Sequence, residues 1–173
     1  MDAKPWIVLI VFLFITLGIG GLASFHSDRG VREWYSQLRK PPGTPPPWVF
    51  GPVWTTLYVL MPISAWLIWR QYSWAGGRPA LMLFFGQLAL NAAWSGIFFS
   101  ARLPGVAFAA ITMLWLAILF NMIVFYWLLP LAAWLLLPYL LWVTYTGYLN
   151  FEIWRLNRPR RSYQRKHGHP PRC

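Results

Sequence analysis

Long apolar runs dominate this chain, and their lengths rather than any fine periodicity carry the first information. They extend from Trp6 to Phe25, Trp48 to Trp69, Ala80 to Ser100, Gly105 to Trp127 and Leu131 to Trp154. Each is close to the roughly 20 residues a helix needs to cross the hydrocarbon core of a bilayer. The pattern predicts an all-α fold: an integral membrane bundle of five transmembrane helices, 6–25, 48–69, 80–100, 105–127 and 131–154. These form one domain over residues 1–157, followed by a basic tail at 158–173 for which no structure is predicted. Gly21-Leu22-Ala23 would suit signal-peptide cleavage, but the first run is too long for a signal core and only Lys4 precedes it. It reads as a retained helix.

The polar segments between the runs are short, with one exception. The first loop spans residues 26–47, from His26 to Pro47. Within it Gly30–Lys40 can form an amphipathic turn or two, with Trp34, Tyr35 and Leu38 on one side. Pro41-Pro42-Gly43-Thr44-Pro45-Pro46-Pro47 then forces a stiff, extended path with few backbone donors. Such a loop reads either as a lid over a site or as an aromatic anchor at headgroup depth, and the two are compatible.

Composition agrees with lipid as the solvent. The chain is 58% hydrophobic and 11% charged, whereas a soluble domain carries about a quarter charged residues. The net charge of +11 would suggest nucleic acid if the charges lay on one folded face. Instead Lys and Arg fall between and beyond the apolar runs, as lipid headgroup contacts and topology signals do, and no nucleic-acid partner is expected. Five spans put the termini on opposite sides. Lys4, Arg70 and Arg78 share the N-terminal side; the first loop, Arg102 and the tail from Arg155 to Arg172 hold the other twelve cations. This asymmetry places the first loop and the C-terminus in the cytoplasm. The host is a bacterial membrane or an organelle's outer membrane. The single cysteine, Cys173, permits no intrachain disulfide, and the string His167, His169, Cys173 lies in a Pro- and Arg-rich tail that reads as unstructured rather than as a metal site.

Polar groups inside the spans are few. Gln87, Asn91, Trp94 and Phe98 share one face of the third run. Two amides beside two aromatics can hold a flat ligand by its polar edge and its body; they can equally be hydrogen-bonding glue between helices. The second run offers Trp54, Tyr58, Met61 and Ala65. The fifth offers Trp142, Tyr145, Thr146, Leu149 and Asn150. These stripes are either packing or three walls of one aromatic cavity. Pro52, Pro62 and Pro138 interrupt helices, Glu152 is placed to pair with Arg155 one turn on, and Ala92, Gly96 and Ser100 form a small-residue series suited to close helix approach. No nucleophile–base–acid set, metal cluster or phosphate loop is present, so an enzyme is the less expected class, and neither a metal nor a cofactor is called for.

Several motifs resemble one family. They are Trp34-Tyr35-x-x-Leu38-x-Lys40-Pro41, then Pro45-Pro46-x-Trp48-Val49-Phe50-Gly51-Pro52-Val53-Trp54-x-x-Leu57-Tyr58, then Gln87-Leu88-x-Leu90-Asn91-x-x-Trp94 with Phe98-Phe99. Pro138-Tyr139-x-x-Trp142 and Leu149-Asn150-x-x-x-Trp154-Arg155-x-Asn157 complete the set. Together they resemble the translocator protein family, also called tryptophan-rich sensory proteins or peripheral-type benzodiazepine receptors. The resemblance implies a five-helix bundle, often a homodimer. It also implies a receptor or transporter for tetrapyrroles such as protoporphyrin IX and haem and for isoquinoline or benzodiazepine ligands, with a regulatory role linked to stress or tetrapyrroles. The ligand cavity it implies lies under the first loop, lined by Tyr35, Trp54, Asn91, Trp94, Trp142 and Thr146; Tyr58, Gln87, Phe98 and Tyr145 belong to the same candidate set. The alternative it implies is an enzyme promoting light- and oxygen-dependent breakdown of protoporphyrin, with Trp54 and Trp142 as the redox-active residues.

Three departures qualify the resemblance. Gly43 stands where many members have tryptophan, which reduces the loop's aromatic grip. Thr146 replaces the usual alanine and makes the cavity more polar. In the sterol pattern, Tyr148 and Arg155 are one residue too far apart, so cholesterol is not expected.

Overall fold

The computed structural model describes residues 5–158. Lys4, which entered the charge count, and the tail from residue 159, with His167, His169 and Cys173, lie outside the described residues. Four helices carry the chain: α1 (Pro5–Arg29), α2 (Pro47–Ser95), α3 (Pro104–Leu128) and α4 (Pro130–Leu156). Proline occupies the first turn of α2, α3 and α4, where its missing N–H costs nothing.

Five helical rods nonetheless result, because α2 folds back on itself. Its 49 residues are two helices joined at Ser73, which has φ 53° and ψ −173°. That one left-handed residue turns the chain through a hairpin. Tyr58 and Asn91, 33 residues apart, are hydrogen-bonded at 2.9 Å; a straight helix would hold them about 50 Å apart. The second and third apolar runs are therefore the two arms of α2. A connecting loop is expected between them from the sequence, and none forms: Trp74, Ala75, Gly76 and Gly77 are already helical. The Tyr72 hydroxyl donates to the Leu128 carbonyl at 2.7 Å, which ties this reversal to the turn at Leu129 between α3 and α4.

Among the described residues, three helices are long and apolar enough to span a membrane: Pro5–Phe25, Pro47–Ser100, which includes both arms of α2, and Pro104–Leu128. α4 has the length, 27 residues, but its Trp, Tyr and Asn residues lower its hydropathy; it packs against α3 and α2 and buries Leu136, Tyr139, Val143 and Ile153. The outward faces are apolar, as lipid requires: Phe14, Leu22, Phe25, Leu116 and Phe120 are all exposed. Trp48, Trp127 and Trp134 are exposed near helix ends, at the depth where indoles anchor. The protein is an integral membrane helical bundle.

The first loop is more ordered than an extended linker. α1 continues to Arg29, a wide π-type turn covers Gly30–Trp34 and a 3-10 turn Tyr35–Gln37. Trp34, Tyr35 and Leu38 pack on the core together, as their spacing predicts. The proline segment that follows has no helix until Pro47. Glu152 and Arg155 form the expected local ion pair, at 2.6 Å.

Candidate functional site

An aromatic ladder runs through the middle of the bundle. Phe98 stacks on Trp94 (centroids 5.9 Å, planes 28° apart), Trp94 on Trp54 (6.3 Å, 28°), and Trp54 on Tyr58 (5.7 Å, 29°). The first arm of α2 contributes Trp54 and Tyr58, the second contributes Trp94, and the π-type turn Gly96–Ser100 that continues it contributes Phe98. The hairpin at Ser73 brings them side by side, although some 40 residues of chain separate Trp54 from Trp94. Tyr35 and Trp34 from the loop and Phe99 from the end of the second arm meet the ladder edge-on.

Beside the ladder lies a cavity of about 340 Å³. Trp54, Tyr58, Asn91 and Trp94 form its inner wall and Tyr35 its loop side, while α1 closes it through Gly20, Ala23 and Ser24. Its size falls at the lower end of the roughly 300–1,000 Å³ typical of ligand sites, and its lining, mostly aromatic with a few convergent polar groups, has their usual character. Burial, reinforced by nearby Tyr145, raises the Tyr35 hydroxyl above its ordinary pKa. It therefore remains a neutral donor at physiological pH.

Five of the ten residues singled out from the sequence meet in this cavity: Tyr35, Trp54, Tyr58, Asn91 and Trp94. The other five do not line it. Gln87 is buried one turn below Asn91, and its amide nitrogen and oxygen find no hydrogen-bond partner among the described residues. Phe98 is buried behind Trp94. Trp142 packs edge-on against Phe50 and tilted against Tyr145. Tyr145 donates to the Gly43 carbonyl in the loop at 2.7 Å. The Thr146 hydroxyl donates back to the Trp142 carbonyl at 2.8 Å, so it is satisfied within its own helix and adds no free donor. α4 thus borders the site through Tyr139, whose ring meets Trp54 edge-on at 6.4 Å.

The amides act as glue. Tyr58 donates to Asn91 Oδ1 at 2.9 Å, and Asn91 Nδ2 donates to the Tyr139 hydroxyl at 2.8 Å. One side chain therefore joins both arms of α2 to α4 while still lining the cavity. Trp94 Nε1 donates to Asn150 Oδ1 at 3.1 Å, and Asn150 Nδ2 to the Pro104 carbonyl at 2.8 Å. In α1, Thr16 donates to the Tyr58 carbonyl at 3.1 Å, just below the cavity.

The α1 wall, built of Gly20, Ala23 and Ser24, has no aromatic or amide signature in the sequence. Gly20 lies so close to Tyr58 that a Cβ there would sit 2.5 Å from the ring. Glycine recurrence along the first run was the one available sign, and alone it says nothing about which helix it faces. Gly43 has φ +86°. A tryptophan there would be strained, so the residue serves the turn that presents its carbonyl to Tyr145.

The loop is fastened over the cavity at several points. Arg39 N–H donates to Asn157 Oδ1 at 3.1 Å, and Asn157 Nδ2 returns a bond to the Arg39 carbonyl at 3.0 Å. Lys40 Nζ lies 4.6 Å from the Tyr35 ring centroid. Arg102 and Glu33 pair at 3.2 Å, both largely exposed.

Comparison with known proteins agrees with this architecture. Residues 9–155 match the model of the TspO/MBR family. The human translocator protein is 40% identical over 166 residues, covering 94% of this chain and 98% of that protein. The tryptophan-rich sensory protein of Cereibacter sphaeroides is 40% identical over 152 residues, 88% of this chain and 92% of its own. The tryptophan-rich protein TspO of Archaeoglobus fulgidus is 38% identical over 149 residues, 86% and 96% respectively.

Proposed function

Because this chain belongs to the TspO/MBR family, we propose that it acts as a membrane receptor whose cavity binds tetrapyrroles such as protoporphyrin IX and haem, and related flat hydrophobic ligands. The observation that carries this reading is the cavity wall. Trp54 and Trp94 stack beside each other, with Tyr58 and Asn91 adjacent and Tyr35 above. A flat apolar ring can lie against the indole surface while its polar edge meets Tyr35 and the loop cations Arg39 and Lys40. Aromatic stacking of this kind is worth about 1–3 kcal/mol per contact, by analogy with stacked bases. Titrating protoporphyrin IX into the purified protein and following tryptophan fluorescence tests it: saturable quenching is expected, and quenching no greater than that of free tryptophan in the same detergent rejects it.

The same reading places the loop and C-terminus on the cytoplasmic side, from the distribution of Lys and Arg. It also makes the protein a homodimer through Ala92, Gly96 and Ser100. These residues border an open groove of about 470 Å³ with Ile19, Leu22 and Ala23 of α1, and a Cβ on Gly96 would meet nothing within 4 Å. Porphyrin breakdown is the second reading. It draws support from Trp54, an indole in the cavity wall with Tyr58 and Trp94 stacked behind it, whereas Trp142 lies outside the cavity. Illumination of the protein with protoporphyrin IX in air decides it: an absorbance that stays constant argues for binding alone.

A further inference from the structure

Two voids meet along the contact between α1 and the first arm of α2. The ligand cavity shares six lining residues, Gly20, Ser24 and Gly51 among them, with an outer hollow of about 290 Å³ that adds Leu17, Gly21 and Thr55. Ser24 and Gly51 line the interior cavity and are also exposed on the outer surface. The wall there is a single residue thick. The physical reason is the glycines: a Cβ added at Gly21 or Gly51 would meet nothing within 4 Å, so the two helices leave open room instead of packing backbone to backbone. Gly20 has the opposite role. Its missing Cβ lets the Tyr58 ring lean against α1 and form the floor of the hollow.

On its other side the cavity lies under the loop, which is tied down: Arg39 and Asn157 exchange two hydrogen bonds, and Tyr145 donates to the Gly43 carbonyl. At the loop's start a Cβ on Gly30 would collide with the Phe99 carbonyl oxygen, which shows how closely the loop backbone is seated. The side opening, by contrast, lies on the outer surface of the bundle, bordered by Leu17, 41% exposed. It is set toward the loop end of α1, near one headgroup layer.

We propose that the cavity exchanges its occupant sideways with the bilayer, through the opening between α1 and the first arm of α2, while the loop stays closed. The proposal rests on reading the cavity as a ligand site, and it narrows the ligand class. The occupant is a molecule already dissolved in the membrane, with a flat apolar body and a polar edge that holds it at the headgroup boundary.

Two measurements in lipid vesicles test this, one of them independent of porphyrin. In a Cys173→Ser background, Ser95→Cys places a thiol in the cavity. A bilayer-partitioned long-chain alkyl maleimide should label it at least tenfold faster than a sulfonated, water-soluble maleimide. Gly21→Phe, or Thr55→Trp if the first variant folds poorly, should cut the alkyl labelling about tenfold, whereas Asn157→Ala should change neither reagent's rate. In stopped-flow quenching with protoporphyrin IX, the same plugging variant should slow association and dissociation about equally, roughly tenfold, and leave Kd within twofold. The proposal is overturned if the water-soluble reagent labels as fast as the alkyl one. It is equally overturned if Asn157→Ala accelerates exchange while the plugging variants do not slow it. Absence of quenching in the parent protein would remove the tetrapyrrole reading, and the thiol experiment would still decide the route.

Discussion

Asn91 uses both ends of its amide inside the bundle, accepting from Tyr58 and donating to Tyr139. Losing it leaves two buried hydroxyls without that partner. Asn91→Leu is therefore expected to lower stability by about 1–2 kcal/mol, within the usual range for a broken buried hydrogen-bond pair, read as a reduced Tm in detergent. Gln87, on the same helical face, has no hydrogen-bond partner among the described residues for either end of its amide, so Gln87→Leu should not lower Tm. Equal losses in the two variants would contradict this contrast. Spacing along the sequence puts both amides on one face and cannot separate them, because satisfaction depends on which hydroxyl the neighbouring helices bring opposite. The same holds for the tryptophans. Trp54 lines the cavity and Trp142 does not, so Trp54→Ala should weaken protoporphyrin binding about five- to a hundredfold. Trp142→Ala should weaken it less, and Trp6→Ala, whose ring stacks on Trp66 far from the cavity, should not. Fluorescence quenching titrations compare the three directly.

At the level of elements, two reversals without loops, at Ser73 and at Leu129, govern the shape. Ser73 sits at φ 53° and ψ −173°, a conformation that costs a residue with a Cβ about 1–3 kcal/mol. Ser73→Gly is expected to stabilise the protein by about 1 kcal/mol, the relief being partly offset by glycine's greater freedom when unfolded. A lower melting temperature would show that the serine side chain contributes more than its backbone costs. The Arg-, Gly- and Pro-containing stretch from Arg70 to Pro79 reads in sequence as a short connection. It becomes helix on either side of Ser73 because a hairpin of two packed rods buries Ile68, Ala80 and Leu81, and burial outweighs the local turn preference. The first loop shows the converse. Its amphipathic turns were legible from Trp34, Tyr35 and Leu38, but its close seating on Phe99 was not. Gly30→Ala would press a methyl group against that carbonyl, and overpacking of this kind costs about 1–3 kcal/mol. Faster proteolysis within the loop is the expected result.

The whole molecule in its membrane carries two further expectations. A reporter at the C-terminus should lie on the cytoplasmic side and one at the N-terminus outside, since twelve cations fall on one side and three on the other; the reverse labelling in intact cells would reject the orientation. Gly96→Leu should fill the groove between the second arm of α2 and α1 and weaken self-association, measured by sedimentation in detergent, and an unchanged dimer would place the contact elsewhere. The sequence by itself determined that the chain lives in lipid as a helical bundle. Apolar runs of spanning length have no other stable solvent, and local hydrogen bonding obliges each to become a helix. It also determined the family, through several motifs in their order, and offered the residue types of the candidate site, because aromatic and amide side chains recur at helical spacing on three runs. Only the tertiary structure decided which of those faces meet. The rotation of α4, set by packing of Leu136, Tyr139 and Val143, turns Tyr139 toward Trp54 and leaves Trp142 beside Phe50. Three small residues of α1, Gly20, Ala23 and Ser24, supply the cavity's missing wall. Helix rotation and the space a glycine leaves are properties of neighbours, and no single run of sequence contains its neighbour.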